Sequence, residues 1–102
     1  MTIGHQPLVD SLVLVNGQDF IHEILMPAGE FVPAGTTCKI VIYDMAGDVV
    51  TEWPATVVSN SISWDVASES ADTINLPATY RIYVHYSDGA DFCWYRGPIV
   101  RY

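Results

Sequence analysis

The sequence predicts an all-β fold, an immunoglobulin-like antiparallel β-sandwich of about seven to nine short strands. Three observations carry that prediction. Turn signals recur roughly every 8–12 residues between short extended runs, the spacing of a sandwich or small barrel. The runs themselves are rich in β-branched and aromatic residues that alternate with polar ones, so each places one apolar face. The last quarter of the chain, Ala78 to Tyr102, is the densest case: two such runs flank Asp88-Gly89, a dipeptide suited to a two-residue hairpin turn. A hairpin with one strongly apolar side needs a second layer to cover it, and nearly every other segment is a candidate.

In chain order, residues 1–7 carry no periodicity and read as a flexible N-terminal arm before a single sandwich domain over residues 8–102. Leu12 to Val15 forms a short strand closed by Asn16-Gly17. In Asp19 to Met26, Phe20, His22, Ile24 and Met26 face one way and Ile21, Glu23 and Leu25 the other. Periodicity alone does not separate helix from strand there; shortness and nearby turn residues favour strand. Pro27-Ala28-Gly29 and Pro33-Ala34-Gly35 are turns around Glu30-Phe31-Val32. Thr36 to Asp44 is a strand with Cys38, Ile40 and Ile42 on one side. Asp44 to Asp48 turns it back, with Gly47 at positive φ, into Val49 to Trp53. Pro54 is expected to break that ladder before Ala55 to Val58 resumes. Ser59-Asn60 leads to Ser61 to Val66, where Ile62, Trp64 and Val66 alternate with polar residues, a strand wet on one side. Ala67 to Thr73 is a loop or a single helical turn. In the final hairpin Tyr80, Ile82, Val84 and Tyr86 share a face opposite Arg81, Tyr83 and His85. Beyond the turn, Phe92, Trp94 and Arg96 share one face, with Cys93 and Tyr95 opposite. Gly97-Pro98 is expected to bend the last strand or hold it at an edge.

Composition narrows the function classes. With 102 residues the chain is one domain; half its residues are hydrophobic and 16% are charged, which excludes intrinsic disorder. Twelve carboxylates against four basic residues give a formal charge of −8, the wrong sign for binding nucleic acid or an anionic membrane surface. An acidic coat keeps the chain soluble before any assembly step. The opening residues show no basic, apolar signal pattern, so synthesis in a cytoplasm is expected. Cys38 and Cys93 read as two reduced core thiols, with a disulfide between facing strands as the alternative.

Catalytic signatures are missing from the sequence. No two of His5, His22 and His85 stand at metal-ligand spacing. Neither Asp44 with Asp48 nor Asp65 with Glu69 and Asp72 matches a calcium loop. No serine sits in a nucleophile elbow, and no glycine-rich phosphate loop is present. The expectation is a non-enzymatic chain with no cofactor and no metal. The aromatics are the remaining signal. Trp64 and Trp94 alternate with apolar residues as core positions do. Trp53, at a strand end beside Pro54, is expected to be exposed, and Tyr43, Tyr83, Tyr95 and Tyr102 decorate an outer face. Trp53, Tyr83, Tyr95 and Tyr102 are therefore the candidate interface residues, or contacts to a glycan.

From Gly35 onward the order of pieces resembles the LtfC-like group of small β-sandwich proteins encoded by tailed bacteriophages of actinobacterial hosts. The matching pieces are Gly35 to Asp44, the Gly47 hairpin, Trp53-Pro54-Ala55, Ile62-Ser63-Trp64, Leu76-Pro77, Tyr80 to Val84, and Asp88-Gly89 running into Trp94-Tyr95-Arg96-Gly97. Leu12-Val13-Leu14, Gly17 and Asp19-Phe20 fit upstream. More loosely the chain resembles the N-terminal domains of phage baseplate proteins. The resemblance implies a virion component with no catalytic residues, and leaves open capsid, head–tail junction or tail. Because the sequence covers only the sandwich, the expectation is a capsid decoration or head–tail accessory protein that docks on a major capsid or tail protein and self-associates in the lattice. The alternative is a minor tail or baseplate protein that contacts the host or binds carbohydrate.

Overall fold

An extended segment that alternates apolar and polar residues buries one face only by pairing into a sheet that a second layer covers. The computed structural model describes residue 4 and residues 6–102; the rest of the arm expected over residues 1–7, His5 included, lies outside the described residues. The strands are β1 (Leu8–Val9), β2 (Leu12–Leu14), β3 (Phe20–Leu25), β4 (Thr37–Asp44), β5 (Val49–Pro54), β6 (Thr56–Val58), β7 (Ser61–Val66), β8 (Ala78–His85) and β9 (Asp91–Arg101). A single helical turn, α1 (Ser68–Ala71), links β7 to β8.

Two sheets result. The larger runs β1-β9-β8-β4-β5, with β2 also on β9; the smaller runs β3-β7-β6. Ile40, Ile42, Ile82 and Val84 of the larger sheet meet Ile62 and Trp64 of the smaller in one core, joined by Leu12, Leu14 and Ile99. The chain is thus a β-sandwich. Each such side chain, fully buried, contributes roughly 1.5–3 kcal/mol.

Three features depart from the pattern read along the sequence. First, β1 and β2 pair with β9 in parallel, in one shared register: Leu8 opposite Tyr95 and Val9 opposite Arg96, then Leu12 opposite Ile99 to Leu14 opposite Arg101. The break between them falls beside Gly97-Pro98, where Pro98 has no N–H for the ladder. β9 neither breaks there nor lies at an edge, since β8 flanks it on one side and β1 with β2 on the other. Second, the β4–β5 and β8–β9 hairpins each close on three residues. Backbone bonds Asp44 N to Asp48 O and Tyr86 N to Ala90 O, each 2.9 Å, enclose loops ending in Gly47 and Gly89 at φ 87° and 93°. A type I turn followed by a left-handed glycine needs that third residue, so the two-residue turn expected at Asp88-Gly89 is corrected. Third, β5 continues through Pro54, which pairs opposite Lys39; β5 is an edge strand, where proline is tolerated.

Arg101 ties the end of β9 to the rest. Its guanidinium donates to the Ala71 and Ile74 carbonyls at 3.1 and 2.6 Å and to Asn16 Oδ1 at 3.2 Å. Asp72 stands 3.7 Å away and itself accepts from the Gly17 amide at 3.2 Å. The arginine side chain is 14% exposed, so Arg101→Ala strands two carbonyls with little water to replace the donor. A loss of about 2–3 kcal/mol is expected, read as a lower urea midpoint. Arg101→Lys recovers little of it, because an ammonium cannot span those separated acceptors.

Candidate interaction surfaces

The four aromatic candidates do not converge. Trp53 is buried at 6% exposure, packed at the sheet-to-sheet contact with its carbonyl accepting the Trp64 indole N–H at 3.0 Å. Its ring lies 5.5 Å from that of Phe20. The expectation of an exposed Trp53 is corrected: β5 does not end at Pro54, so Trp53 keeps its inward position opposite Ile40. Tyr95 also turns inward. The pairing of β8 with β9 slips by one residue between Ile82 and Tyr83, so Tyr95 faces Ile82, Cys93 faces Tyr83, and Trp94 is the extra residue. A bulge of this kind reverses the alternation beyond it, placing Trp94 and Tyr95 both against the core. Tyr102 is 76% exposed at the chain end. Tyr83 alone is on the outer face of the larger sheet, half-buried. No common sugar platform forms from these four.

The two cysteines point to opposite sides of the larger sheet, Cys38 opposite core residue Val84 and Cys93 opposite Tyr83, and no disulfide joins them. Burial pushes the Cys38 thiol up to about 12 against the opposing effect of the Lys39 amide. Cys93, expected in the core, is half-buried on the outer face because it precedes the bulge.

A groove of about 470 Å³ opens where β3 stands away from β2. Its floor is Ile40, Tyr80, Ile82 and Tyr95, and Asp10, Gln18, Asp19 and His22 rim it. The rim is largely engaged in the fold: Asp19 accepts the Ser68 amide at 2.8 Å, and the Tyr80 hydroxyl donates to the Asp10 carbonyl at 3.0 Å. Burial first, then the nearby Asp10 charge, raises the Tyr80 phenol to about 12, so it stays a neutral donor. Among the described residues no three of His, Cys, Asp and Glu gather in a set that could hold a metal.

The outer face of the larger sheet has more chemistry. Register places Lys39, Tyr83 and Cys93 in one row across β4, β8 and β9, and Glu52, Val41, Arg81 and Arg96 in the next across β5, β4, β8 and β9. Three of the chain's four basic residues therefore stand on one face of a protein of charge −8. Lys39 pairs with Glu52 at 2.6 Å and His85 with Asp91 at 2.5 Å. Tyr43 and Tyr83 share a hydroxyl–hydroxyl bond of 3.2 Å, and Arg81 Nη1 lies 3.5 Å from the Tyr83 oxygen. Burial, then that Tyr83 bond, pushes the Tyr43 phenol up to about 12. The Arg81 guanidinium is shifted further above its ordinary value, chiefly by the hydrogen bond to Tyr83. Arg81 and Arg96 sit directly opposite each other, and among the described residues neither has a carboxylate within ion-pair distance. Like charges directly opposite on paired strands are destabilising, so the fold itself gains nothing from this pair. The alternation Arg81, Tyr83, His85 was visible along the chain; that Lys39, Tyr43 and Arg96 join it depends on register.

Among curated proteins, none matches the chain. A family model described as LtfC-like, beta-sandwich domain matches residues 6–102. That span takes in both sheets, both glycine-tipped hairpins, the inter-sheet tryptophans and Arg101, and the chain belongs to the LtfC-like family of β-sandwich domains.

Proposed function

We propose that the chain is a non-enzymatic structural protein of a tailed-bacteriophage virion, made in the host cytoplasm and incorporated as a capsid decoration or head–tail accessory protein. It docks on a major capsid or tail protein through its sandwich edges and residues 1–7, and binds neither nucleic acid nor membrane. Family membership over residues 6–102 supports this reading, since the group the sequence resembles consists of small virion sandwiches. A face rich in Tyr and Arg agrees with it, because these residues anchor protein interfaces. The glycan-contact reading lacks comparable support, because Trp53 is buried and the tyrosines named with it are dispersed.

Quantitative mass spectrometry of purified particles tests the proposal. Hundreds of copies per particle are expected for a capsid lattice and a handful for a connector or tail site. Absence of the chain from particles that contain the other structural proteins would refute it.

A further inference from the structure

We infer that a second copy of this chain docks on the outer face of the larger sheet, Arg81 and Arg96 of one copy receiving Glu23 and Asp65 of the next. This deepens, and rests on, the reading of the chain as a partner-binding structural protein.

The two outer faces of the sandwich are complementary. On the larger sheet, the opposed guanidiniums of Arg81 and Arg96 stand in a row with exposed Val9 beyond Arg96, while Val41, beyond Arg81, is buried beneath its neighbours. On the smaller sheet, register puts Ile21 opposite Asp65, Glu23 opposite Ser63, and Leu25 opposite Ser61, with Val58 beyond Ser61 on β6. Their partners on the other side of these strands, Ile24, Ile62 and Trp64, pack in the core, so this second row points outward. Ile21, Leu25 and Val58 are all exposed there, an unusual apolar content for a face meant only for water. Glu23 and Asp65 are diagonal neighbours on paired strands, about 7–8 Å apart at the backbone. Neither is in an ion pair among the described residues. No Lys or Arg lies on β3, β6 or β7, whereas all four basic residues lie on β4, β8 and β9. Each face therefore has two charges of one sign with no ion-pair partner among the described residues, and the signs are opposite. Exposed apolar surface lies beside them, Val9 on one face and Ile21, Leu25 and Val58 on the other. A guanidinium fork fits a carboxylate bidentately. Apolar neighbours around such a pair exclude water from it, as at the centre of protein interfaces.

Because the two faces differ, the contact is heterologous and repeats head to tail, closing into a ring or growing into a column. The net charge opposes this at long range. Salt near physiological strength, with a screening length of about 8 Å, removes most of that repulsion while leaving direct contacts in force.

Charge exchange on the purified full chain tests this, with no virion protein present, so its outcome is independent of whether the chain enters particles. Sedimentation velocity of the wild type is expected to show mass rising with concentration. The double variant Arg81→Glu/Arg96→Glu and the double variant Glu23→Arg/Asp65→Arg should each associate at least tenfold more weakly. Mixing the two variants should restore association, because each then offers the other a complementary face. Restoration also shows that both variants are folded. A wild type that remains monomeric, a variant that associates as the wild type does, or a mixture no stronger than its parts would each overturn the inference.

Discussion

Trp64→Ala is expected to remove about 3–5 kcal/mol of stability, the range for deleting a buried aromatic from a packed core. Trp64 is 2% exposed and lies in the central strand of the smaller sheet. Its indole N–H reaches 3.0 Å to the Trp53 carbonyl on β5, a direct hydrogen bond between the two sheets. Truncation therefore opens a cavity between the layers and leaves a buried acceptor without its donor. The ring also stacks on His22, centroids 6.2 Å apart, so the packing of β3 loosens as well. Domains of this size have about 5–15 kcal/mol in total, and the variant should be partly unfolded near body temperature. Chemical denaturation followed by circular dichroism measures it. Trp64→Phe separates the contributions: it keeps most of the ring and forfeits the hydrogen bond, and about 1–3 kcal/mol is expected. A Trp64→Ala protein within 1 kcal/mol or so of wild type would mean that the sheets are not held together at this contact.

Gly97→Ala is expected to cost about 3 kcal/mol, at or above the upper end for overpacking, and to do so locally. A Cβ at this position would lie 1.9 Å from the Asp10 carbonyl oxygen and 2.9 Å from its carbon. Those are backbone atoms, which a rotamer change cannot move. Asp10 is held on both sides: its amide donates to the Arg96 carbonyl at 3.1 Å and its carbonyl accepts the Tyr80 hydroxyl at 3.0 Å. Relief requires β1 and β2 to move off β9, exposing Leu12 and Leu14, both now buried. Amide hydrogen exchange should accelerate at Asp10 and at Leu12 to Leu14 while the β4–β8 ladder keeps its protection. Uniform acceleration across the sandwich would instead mean that β1 and β2 unfold only together with the rest.

The site was less legible than the fold, for a reason visible at β9. Along Tyr80 to His85, alternation assigned every side chain to its face, since no residue interrupts the count. Beyond Cys93 the same counting failed, because one extra residue at Trp94 shifts parity and carries Tyr95 inward. A bulge has no reliable residue signature; it is set by how two strands meet. Trp53 failed differently. Pro54 reads locally as a stop, and only its place on an edge strand makes it harmless. The same dependence hid the cationic face, whose members lie far apart in sequence and meet through the register of three strands.

By itself the sequence determined the class of fold, the positions of most strands and turns, the acidic coat and the family resemblance. Those follow from local choices: β-branched alternation, glycine where φ must be positive, and the ratio of carboxylates to cations. The tertiary structure alone decided the parallel seating of β1 and β2 on β9, the burial of Trp53 and Tyr95, and the opposition of Arg81 to Arg96. Each of these depends on which strand lies beside which and in what register. Such pairings are chosen by long-range packing of the two layers, a balance that no short window of residues contains.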